Sequence, residues 1–219
     1  MTRESYYRPD SLCDTSWVQE NLSNHSVVIL EVDYDPETAY NEGHLPNAHL
    51  VWWKKDINDA QRRDILSKQQ FEELMSRVGT TSDSELILYG DFNNWFAAFA
   101  FWVFDYYGQV IKDNEWGTEK IGGEGKGYTK SIPRPKNSSY HATPPNEGIR
   151  AYFSDVRRAL ESTETTLVDV RSPKEFAGEI TAPPEYPMEH AQRGDHIPRA
   201  KNILWLQAVK DDGTFKDPS

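Results

Sequence analysis

The chain has 219 residues, with 24 Lys and Arg against 35 Asp and Glu, and a formal net charge of −11 at pH 7. An acidic chain repels a phosphate backbone, and the sequence holds no basic patch, so we expect no nucleic-acid partner. A single cysteine, Cys13, excludes an internal disulfide and favours the reducing cytoplasm. The N-terminus has no signal-peptide pattern, and the longest apolar run, 96–104, is too short to cross a bilayer, so we expect no membrane partner.

The first half of the chain has the pattern of alternating strands and helices. Three runs of strand length predict strands, and two of them are almost entirely apolar, which is typical of strands buried on both faces: 27–32, 49–53 and 86–89. Helices are predicted before, between and after them: 16–22, a segment capped by Ser67 and ended by Gly79, and about 95–107.

Residues 108–146 have the composition of turns and linkers, because five glycines in 117–127 are followed by four prolines. Each glycine costs a helix roughly 1 kcal/mol relative to alanine, so no helix is expected there. A boundary near Asn146 would divide the chain into domains 1–146 and 147–219. Beyond it, a helix is predicted around 149–160, and strands over 166–170 and 202–205.

Two short segments of the first half recur in the second half in the same order. Residues 29–33 match 167–171, so that Glu31 corresponds to Asp169. Residues 44–48 match 196–200, with 14 additional residues between strand and turn in the second copy. Two ordered matches in the same strand–turn–strand context indicate an internal duplication.

The repeated segments resemble the rhodanese homology domain. The second copy carries the resemblance in Asp169-Val170-Arg171-Ser172-Pro173 and His196-Ile197-Pro198-Arg199-Ala200, and the first copy in residues 37–53. Two such domains in tandem are similar to the bacterial thiosulfate sulfurtransferases, whose first domain is inactive and whose second carries a catalytic cysteine. The resemblance implies an α/β fold of two rhodanese-like domains with parallel central sheets. It also implies a small-molecule sulfur donor, a thiophilic acceptor and no cofactor.

In this family the cysteine thiolate lies in a loop between a strand end and a helix N-terminus, where backbone N–H groups and the helix dipole stabilise it. The first-domain loop has Asp91 at that position, so we expect an inactive loop in which Asp91 acts as a helix N-cap acid. The second-domain loop would follow Ser219. Cys13 remains, before a helix and outside any strand-to-helix loop, so we expect an incomplete second domain and no catalytic residue in this chain.

Four residues of the second copy are candidates for active-site support by resemblance: Asp169, Arg171, His196 and Arg199. Asp169 and Arg171 end a predicted buried strand, where ligands gather in open α/β sheets. An ion pair that orients the active loop and a plain structural salt bridge both remain open. For His196 and Arg199, the turn itself is an equally good explanation. No metal site is expected, because the first copy's two histidines in this region flank a proline and do not share a helix face.

Three interpretations follow for function. The chain is a thiosulfate sulfurtransferase by descent and inactive in itself, or it is a catalytically dead rhodanese-like binding or regulatory module. The third is a truncated or misread gene product, which would explain both the missing cysteine and the unusual segment 108–128.

Overall fold

The computed structural model describes residues 6–59, 61–62, 64–109, 111–114, 127–135, 138–186, 189–211 and 213–216. The chain divides into two compact units: unit 1 is Met1–Ile149 with Asp211–Ser219, and unit 2 is Arg150–Lys210. The sequence pattern had assigned 147–219 to a second domain. The structure instead groups both ends of that range with unit 1. Among the described residues, no helix is long and apolar enough to cross a membrane.

Hydrogen bonds explain why the residues just after the expected boundary belong to unit 1. The Tyr106 hydroxyl donates to Glu147 Oε1 at 2.9 Å, and Trp102 Nε1 donates to the Ile149 carbonyl at 3.0 Å. At the other end, Gly213 lies so close to Asn93 that a Cβ on this glycine would be 2.7 Å from Asn93 Oδ1. These contacts join residues far apart in sequence, and no local composition signal predicts them.

A five-stranded parallel sheet forms the centre of unit 1, in the order β1–β7–β6–β2–β3. Its strands are β1 (Leu12–Cys13), β2 (Val27–Asp33), β3 (His49–Trp52), β6 (Glu85–Gly90) and β7 (Ile111–Asn114). A separate antiparallel pair is formed by β4 (Asn58–Asp59) and β5 (Asp64–Ile65). The central strands β2 and β6 are buried over most of their length, as expected of parallel strands covered on both faces. The predictions of strands over 27–32, 49–53 and 86–89 are confirmed.

The α-helices of unit 1 among the described residues are α1 (Thr15–Asn21), α2 (Trp53–Asp56), α3 (Lys68–Arg77) and α4 (Asp91–Tyr106). Two of these, α1 and α3, begin at residues whose side chains cap them. Asp14 accepts a hydrogen bond from the Trp17 N–H at the start of α1, and Ser67 and Gln70 form a capping box at the start of α3. Gly79, with a φ of 79°, follows the end of α3. The three helices predicted from the sequence are confirmed as α1, α3 and α4, whereas α2 was not predicted.

Strand β7 lies inside the range that composition had suggested to be turn and linker, so that prediction was wrong for 111–114. β7 pairs with β6, where Leu86 is opposite Ile111, and with β1, where Cys13 is opposite Asn114. The sequence of β7, Ile-Lys-Asp-Asn, has one apolar residue, so pairing on both sides stabilises it rather than local propensity. Residues 115–126, which carry most of the glycines, lie outside the described residues.

Unit 2 contains short elements: α5 (Phe153–Glu161), β8 (Val168–Asp169), α6 (Pro173–Phe176) and β9 (Lys201–Asn202). α5 begins later than predicted, at the point where the Asp155 side chain accepts a hydrogen bond from the Tyr152 N–H at 2.8 Å. The two strands form a parallel pair and are shorter than predicted; Trp205 already belongs to a 3₁₀ turn. Val168 and Val170 are about half exposed.

The repeated sequence forms the same local geometry in both units. Glu31 is opposite Leu50 in the β2–β3 pair, and Asp169 is opposite Asn202 in the β8–β9 pair. These two pairs correspond when 29–33 is aligned with 167–171, and 44–48 with 196–200. The turn before the second strand also recurs. Its fourth residue is left-handed in both copies, Asn47 with a φ of 65° and Arg199 with a φ of 66°.

One aromatic cluster in unit 1 surrounds Phe71, which is fully buried. Its ring centroid lies 4.8 Å from that of Tyr107, 5.2 Å from Phe104 and 5.8 Å from Tyr140. We predict that Phe71→Ala lowers the free energy of unfolding of unit 1 by about 3–5 kcal/mol, because it removes this packing and leaves a cavity. Chemical denaturation followed by tryptophan fluorescence measures the change.

Tyr7→Ala is the matched control, because it also truncates an aromatic side chain of unit 1 but one that is fully exposed. We expect a change within about 0.5 kcal/mol for this variant. Equal losses for the two variants would contradict the assignment of Phe71 to the core.

Candidate functional site

The first candidate site is the loop that leads from β6 into α4. Phe92, Asn93 and Asn94 are left-handed, with φ values of 50°, 56° and 61°, so regular helix begins only after them. This conformation costs an ordinary residue such as Phe92 about 1–2 kcal/mol, whereas asparagine adopts it more readily. Gly90 opens the loop, where a Cβ would lie 2.1 Å from the Val32 carbonyl oxygen, so only glycine fits. Its N–H donates to Asn94 Oδ1 at 2.9 Å and closes the loop.

Asp91 is the buried acid of this loop. Its Oδ2 accepts hydrogen bonds from the backbone N–H groups of Tyr34 at 3.0 Å and Asp35 at 3.2 Å. Burial raises the pKa of Asp91 to about 6, although these two N–H groups act in the opposite direction. The expected N-cap role is wrong: Gly90 is the N-cap residue, and no side chain caps this helix. The reason is that the left-handed residues after Asp91 do not present a helical first turn.

Two further acids, Glu31 and Asp33, lie fully buried on β2 near Asp91. The Tyr89 hydroxyl donates to Glu31 Oε2 and accepts from the Leu45 N–H at 3.0 Å. Burial raises the pKa of both acids, and the charge of Asp33 raises that of Glu31 further. These residues were not identified from the sequence as functional candidates. Two acids in an otherwise apolar strand, Val-Val-Ile-Leu-Glu-Val-Asp, were the available signal.

Aromatic side chains surround the Asp91 loop. The ring of Tyr34 stacks on Phe96 with centroids 5.0 Å apart, and it meets the edge of Phe92 at 6.3 Å. Lys54 Nζ lies 3.6 Å from the centroid of the Tyr34 ring, a cation–π contact. The loop therefore combines a buried carboxylate with an apolar rim. A carboxylate in this place carries negative charge but no nucleophilic sulfur.

Cys13, the one cysteine of the chain, ends β1 two residues before α1. The expectation that it lies outside any strand-to-helix connection was therefore wrong. The reason is that β1 exists only through long-range pairing with β7. Its side chain is fully buried and packs in an apolar cluster with Ile29, Ile87 and Tyr89. A thiol at this depth cannot meet a dissolved sulfur donor without local opening of the core.

The second candidate site lies at the carboxyl ends of β8 and β9 in unit 2. Arg171 binds Asp169 with two nitrogens, Nε at 3.0 Å from Oδ1 and Nη2 at 2.6 Å from Oδ2. Nη2 also donates to the Asp195 carbonyl at 2.9 Å. Asn202 Nδ2 donates to the backbone carbonyls of Asp169 and Arg171 and ties the two strand ends together. The Arg171 guanidinium holds the pKa of Asp169 below its ordinary value.

His196 and Arg199 have different positions relative to this ion pair. The His196 ring stacks on Phe176 at 3.7 Å and lies near enough to Asp169 to lower its pKa further. Arg199 instead donates to the carbonyls of Leu160 and Ser162, at 2.6 and 2.8 Å, at the C-terminal end of α5. The structure thus brings Asp169, Arg171 and His196 together, whereas Arg199 binds a helix end.

The first copy contains the same histidine geometry. The His44 ring stacks on Tyr40 with centroids 3.7 Å apart, and its Nδ1 lies 2.9 Å from the Tyr40 carbonyl. His196 Nδ1 lies 2.8 Å from the Phe176 carbonyl. In both units the histidine therefore stabilises the turn. Within the described part of the chain, no group of three His, Cys, Asp or Glu side chains is arranged to hold a metal ion.

A polar groove of about 520 Å³ lies elsewhere on unit 1, between α3 and residues 138–141. None of its lining residues belongs to either candidate site. It therefore adds nothing to the chemistry of Asp91 or of the Asp169–Arg171 pair.

We predict that Arg171→Gln raises the pKa of Asp169 toward its ordinary value, because the variant removes the guanidinium charge. The lowered pKa means that this pair stabilises unit 2 above the ordinary pKa of aspartate and loses that effect as the pH falls. A carboxyl NMR titration measures the pKa. Arg158→Gln is the control, because Arg158 pairs with Asp155 on α5 instead; an unchanged Asp169 pKa in Arg171→Gln would contradict the assignment.

Comparisons of the sequence with known proteins agree on one family. Residues 14–123 match the rhodanese-like domain family. The sulfur carrier protein TtuD of Thermus thermophilus is 43% identical over 215 residues, which cover 96% of this chain and 75% of that protein. A putative thiosulfate sulfurtransferase of Saccharopolyspora erythraea is 43% identical over 210 residues, which cover 95% of this chain and 74% of that protein.

Solved structures agree on the fold. A 3-mercaptopyruvate sulfotransferase of Escherichia coli, SseA, superposes with a TM-score of 0.80 at 19% identity over 94% of this chain and 79% of that chain. An anaerobic ergothioneine biosynthesis enzyme of Chlorobium limicola superposes with a TM-score of 0.81 at 18% identity, over 96% of this chain and 56% of the enzyme. The predicted α/β fold with a parallel central sheet is confirmed.

Proposed function

This chain belongs to the rhodanese-like family of sulfurtransferases, and we propose that its 219 residues form a scaffold for sulfur transfer without supplying the nucleophile. Two observations together support the proposal. The loop between β6 and α4 carries Asp91, and the one thiol of the chain, Cys13, is buried in the core of unit 1. The names of the relatives, a sulfur carrier and a putative thiosulfate sulfurtransferase, support sulfur transfer as the general chemistry.

The reaction requires a thiolate. It attacks the outer sulfur of thiosulfate, the S–S bond breaks, and sulfite leaves with the electron pair. A thiophile such as cyanide then takes the outer sulfur of the resulting persulfide, which gives thiocyanate and regenerates the thiolate. A carboxylate at position 91 cannot form the persulfide. The substrates proposed for intact relatives are accordingly a small-molecule sulfane-sulfur donor and a thiophilic acceptor.

For unit 2 we propose a partial rhodanese-like domain in which Asp169, Arg171 and His196 support an active loop. The repeat supports this proposal. In unit 1, β2 lies between β3 and β6, and β6 leads into the Asp91 loop. The counterpart of β2 in unit 2, β8, pairs with β9 among the described residues. Arg199 contributes indirectly, since it holds the end of α5. The proposed compartment is the cytoplasm, on the evidence of cysteine usage.

A second candidate function is a catalytically dead binding or regulatory module. The strained backbone of residues 92–94 favours it, because such strain usually persists where a loop has a role. Cooperative unfolding of a monodisperse chain would support this second candidate. Partial unfolding or aggregation would count against it.

We predict that the purified chain forms no thiocyanate from thiosulfate and cyanide above the uncatalysed background, because it presents no accessible thiolate. A colorimetric thiocyanate assay measures this, with Cys13→Ala as the matched variant. Activity that survives Cys13→Ala would contradict the proposal, since the remaining chain has no thiol. Activity lost in that variant would assign the reaction to Cys13 and would equally overturn it.

We predict that Asp91→Cys in a Cys13→Ala background takes up one sulfur atom from thiosulfate, because the new thiol lies in the loop that opens α4. Intact-mass spectrometry detects the added sulfur, and cyanide should remove it. The control is Asp83→Cys in the same background, which places a thiol on the exposed surface of unit 1. Equal labelling of both variants, or none at position 91, would contradict the proposal that Asp91 stands at the inactive-loop position.

A further inference from the structure

Two buried carboxyl oxygens of β2 have no hydrogen-bond partner within the described residues: Glu31 Oε1 and Asp33 Oδ1. Both side chains are fully buried. The other oxygen of each is bonded, since Glu31 Oε2 accepts from the Tyr89 hydroxyl and Asp33 Oδ2 accepts from the Tyr40 N–H at 3.1 Å. An ionised buried oxygen without a donor is costly, so these two atoms require an explanation.

From the positions of the two residues we expect Glu31 Oε1 and Asp33 Oδ1 to be hydrogen-bond partners of each other. Residues two apart in a strand point to the same face, so Glu31 and Asp33 are neighbours on the face that also carries Ile29. Two ionised carboxylates on one buried face repel each other. One proton changes this, because a protonated carboxyl donates to its ionised neighbour and both oxygens are then bonded.

Burial and neighbouring negative charges favour retention of that proton, although the Tyr89 hydroxyl and the N–H groups of Tyr40 and Asp91 lower the pKa values of the pair. The charges that act most strongly on the pair from neighbouring segments are acidic: Asp91 from the loop after β6, and Asp35 from the segment after β2. The other titratable neighbours are phenols, and burial with the charges of the pair raises the pKa of Tyr40 to about 12. Tyr89 is affected in the same direction. His44 stacks on Tyr40 from the turn that follows.

We propose that Glu31 and Asp33 share one proton, held between Glu31 Oε1 and Asp33 Oδ1, and that unit 1 takes up this proton when it folds. The pair is a pH-sensitive latch for the segment that follows β2. Asp33 holds the Tyr40 N–H directly, and Glu31 holds the Leu45 N–H through Tyr89. Loss of the proton leaves two adjacent buried charges, and their repulsion displaces the two carboxylates to which the segment is attached.

The direction of the pH effect follows from proton counting. In the unfolded chain both carboxyls ionise near their ordinary pKa values, whereas burial raises them in the folded state. At pH values between the ordinary carboxyl pKa and the raised pKa of the pair, the folded chain therefore binds one proton more than the unfolded chain. The latch stabilises unit 1 below the ordinary carboxyl pKa, and this stabilisation is lost as the pH rises through the raised pKa of the pair. It opposes ordinary acid denaturation.

Glu31→Gln tests the shared proton. The amide introduced at position 31 donates to Asp33 Oδ1 at every pH, and its oxygen still accepts from Tyr89. We expect the ratio of the folding constants, wild type over Glu31→Gln, to fall about tenfold per pH unit between about pH 6 and pH 8. Unfolding of unit 1 in urea at each pH measures both constants. Asp83→Asn, which removes an exposed acid, should give a ratio that does not depend on pH.

A constant ratio for Glu31→Gln would overturn the proposal, because both carboxyls would then be ionised in the folded chain. Carboxyl-labelled NMR of the wild-type chain gives a second measurement that does not depend on whether the variant folds. It should show one side-chain carboxyl, of a glutamate or an aspartate, that remains protonated at pH 7. A spectrum in which every glutamate and aspartate carboxyl is ionised at pH 7 would also overturn the proposal. Neither result depends on sulfur-transfer activity.

Discussion

The pairing of β2 between β3 and β6 is the constraint on which the rest of unit 1 depends. Six backbone pairs join β2 to β6 in parallel, from Val27 opposite Glu85 to Val32 opposite Gly90. This register places the ends of both strands at the same edge of the sheet. The Asp91 loop, the segment after β2 and the acids of β2 meet at that edge for this reason.

The same edge concentrates negative charge in a chain that is already acidic. Glu31, Asp33 and Asp91 all have a raised pKa because burial disfavours their charged forms. Unit 2 shows the opposite arrangement, where Arg171 lowers the pKa of Asp169. The two copies of the repeat therefore place acids at corresponding strand ends with opposite electrostatic surroundings. Asp169 is followed two residues later by Arg171, whereas its counterpart Glu31 is followed two residues later by Asp33.

The strands, helices and turns with strong local signals could be predicted from the sequence. The apolar runs of β2 and β6 and the capping box of α3 are examples, and the His-Leu-Pro and His-Ile-Pro turns carried the family resemblance. Elements that exist through distant pairing could not be predicted, which accounts for β1, β7 and the position of Cys13. At the site, Asp169 and Arg171 were identified from the family resemblance and their place at the end of a predicted strand, and Asp91 from the loop position that the resemblance implies. The orientation of Asp91 toward Tyr34, and the helix contact of Arg199, depend on packing that no spacing rule contains.

The close approach of Gly90 to the Val32 carbonyl has a consequence for how this loop tolerates mutation. Any side chain at position 90 would push β6 away from β2 at its last paired residue and disturb the whole edge. Position 91 has no such restriction, since its side chain extends toward the Tyr34 and Asp35 amides. The sheet therefore fixes the residue type at position 90 but not at position 91, where the side chain can change while the backbone of the loop keeps its path.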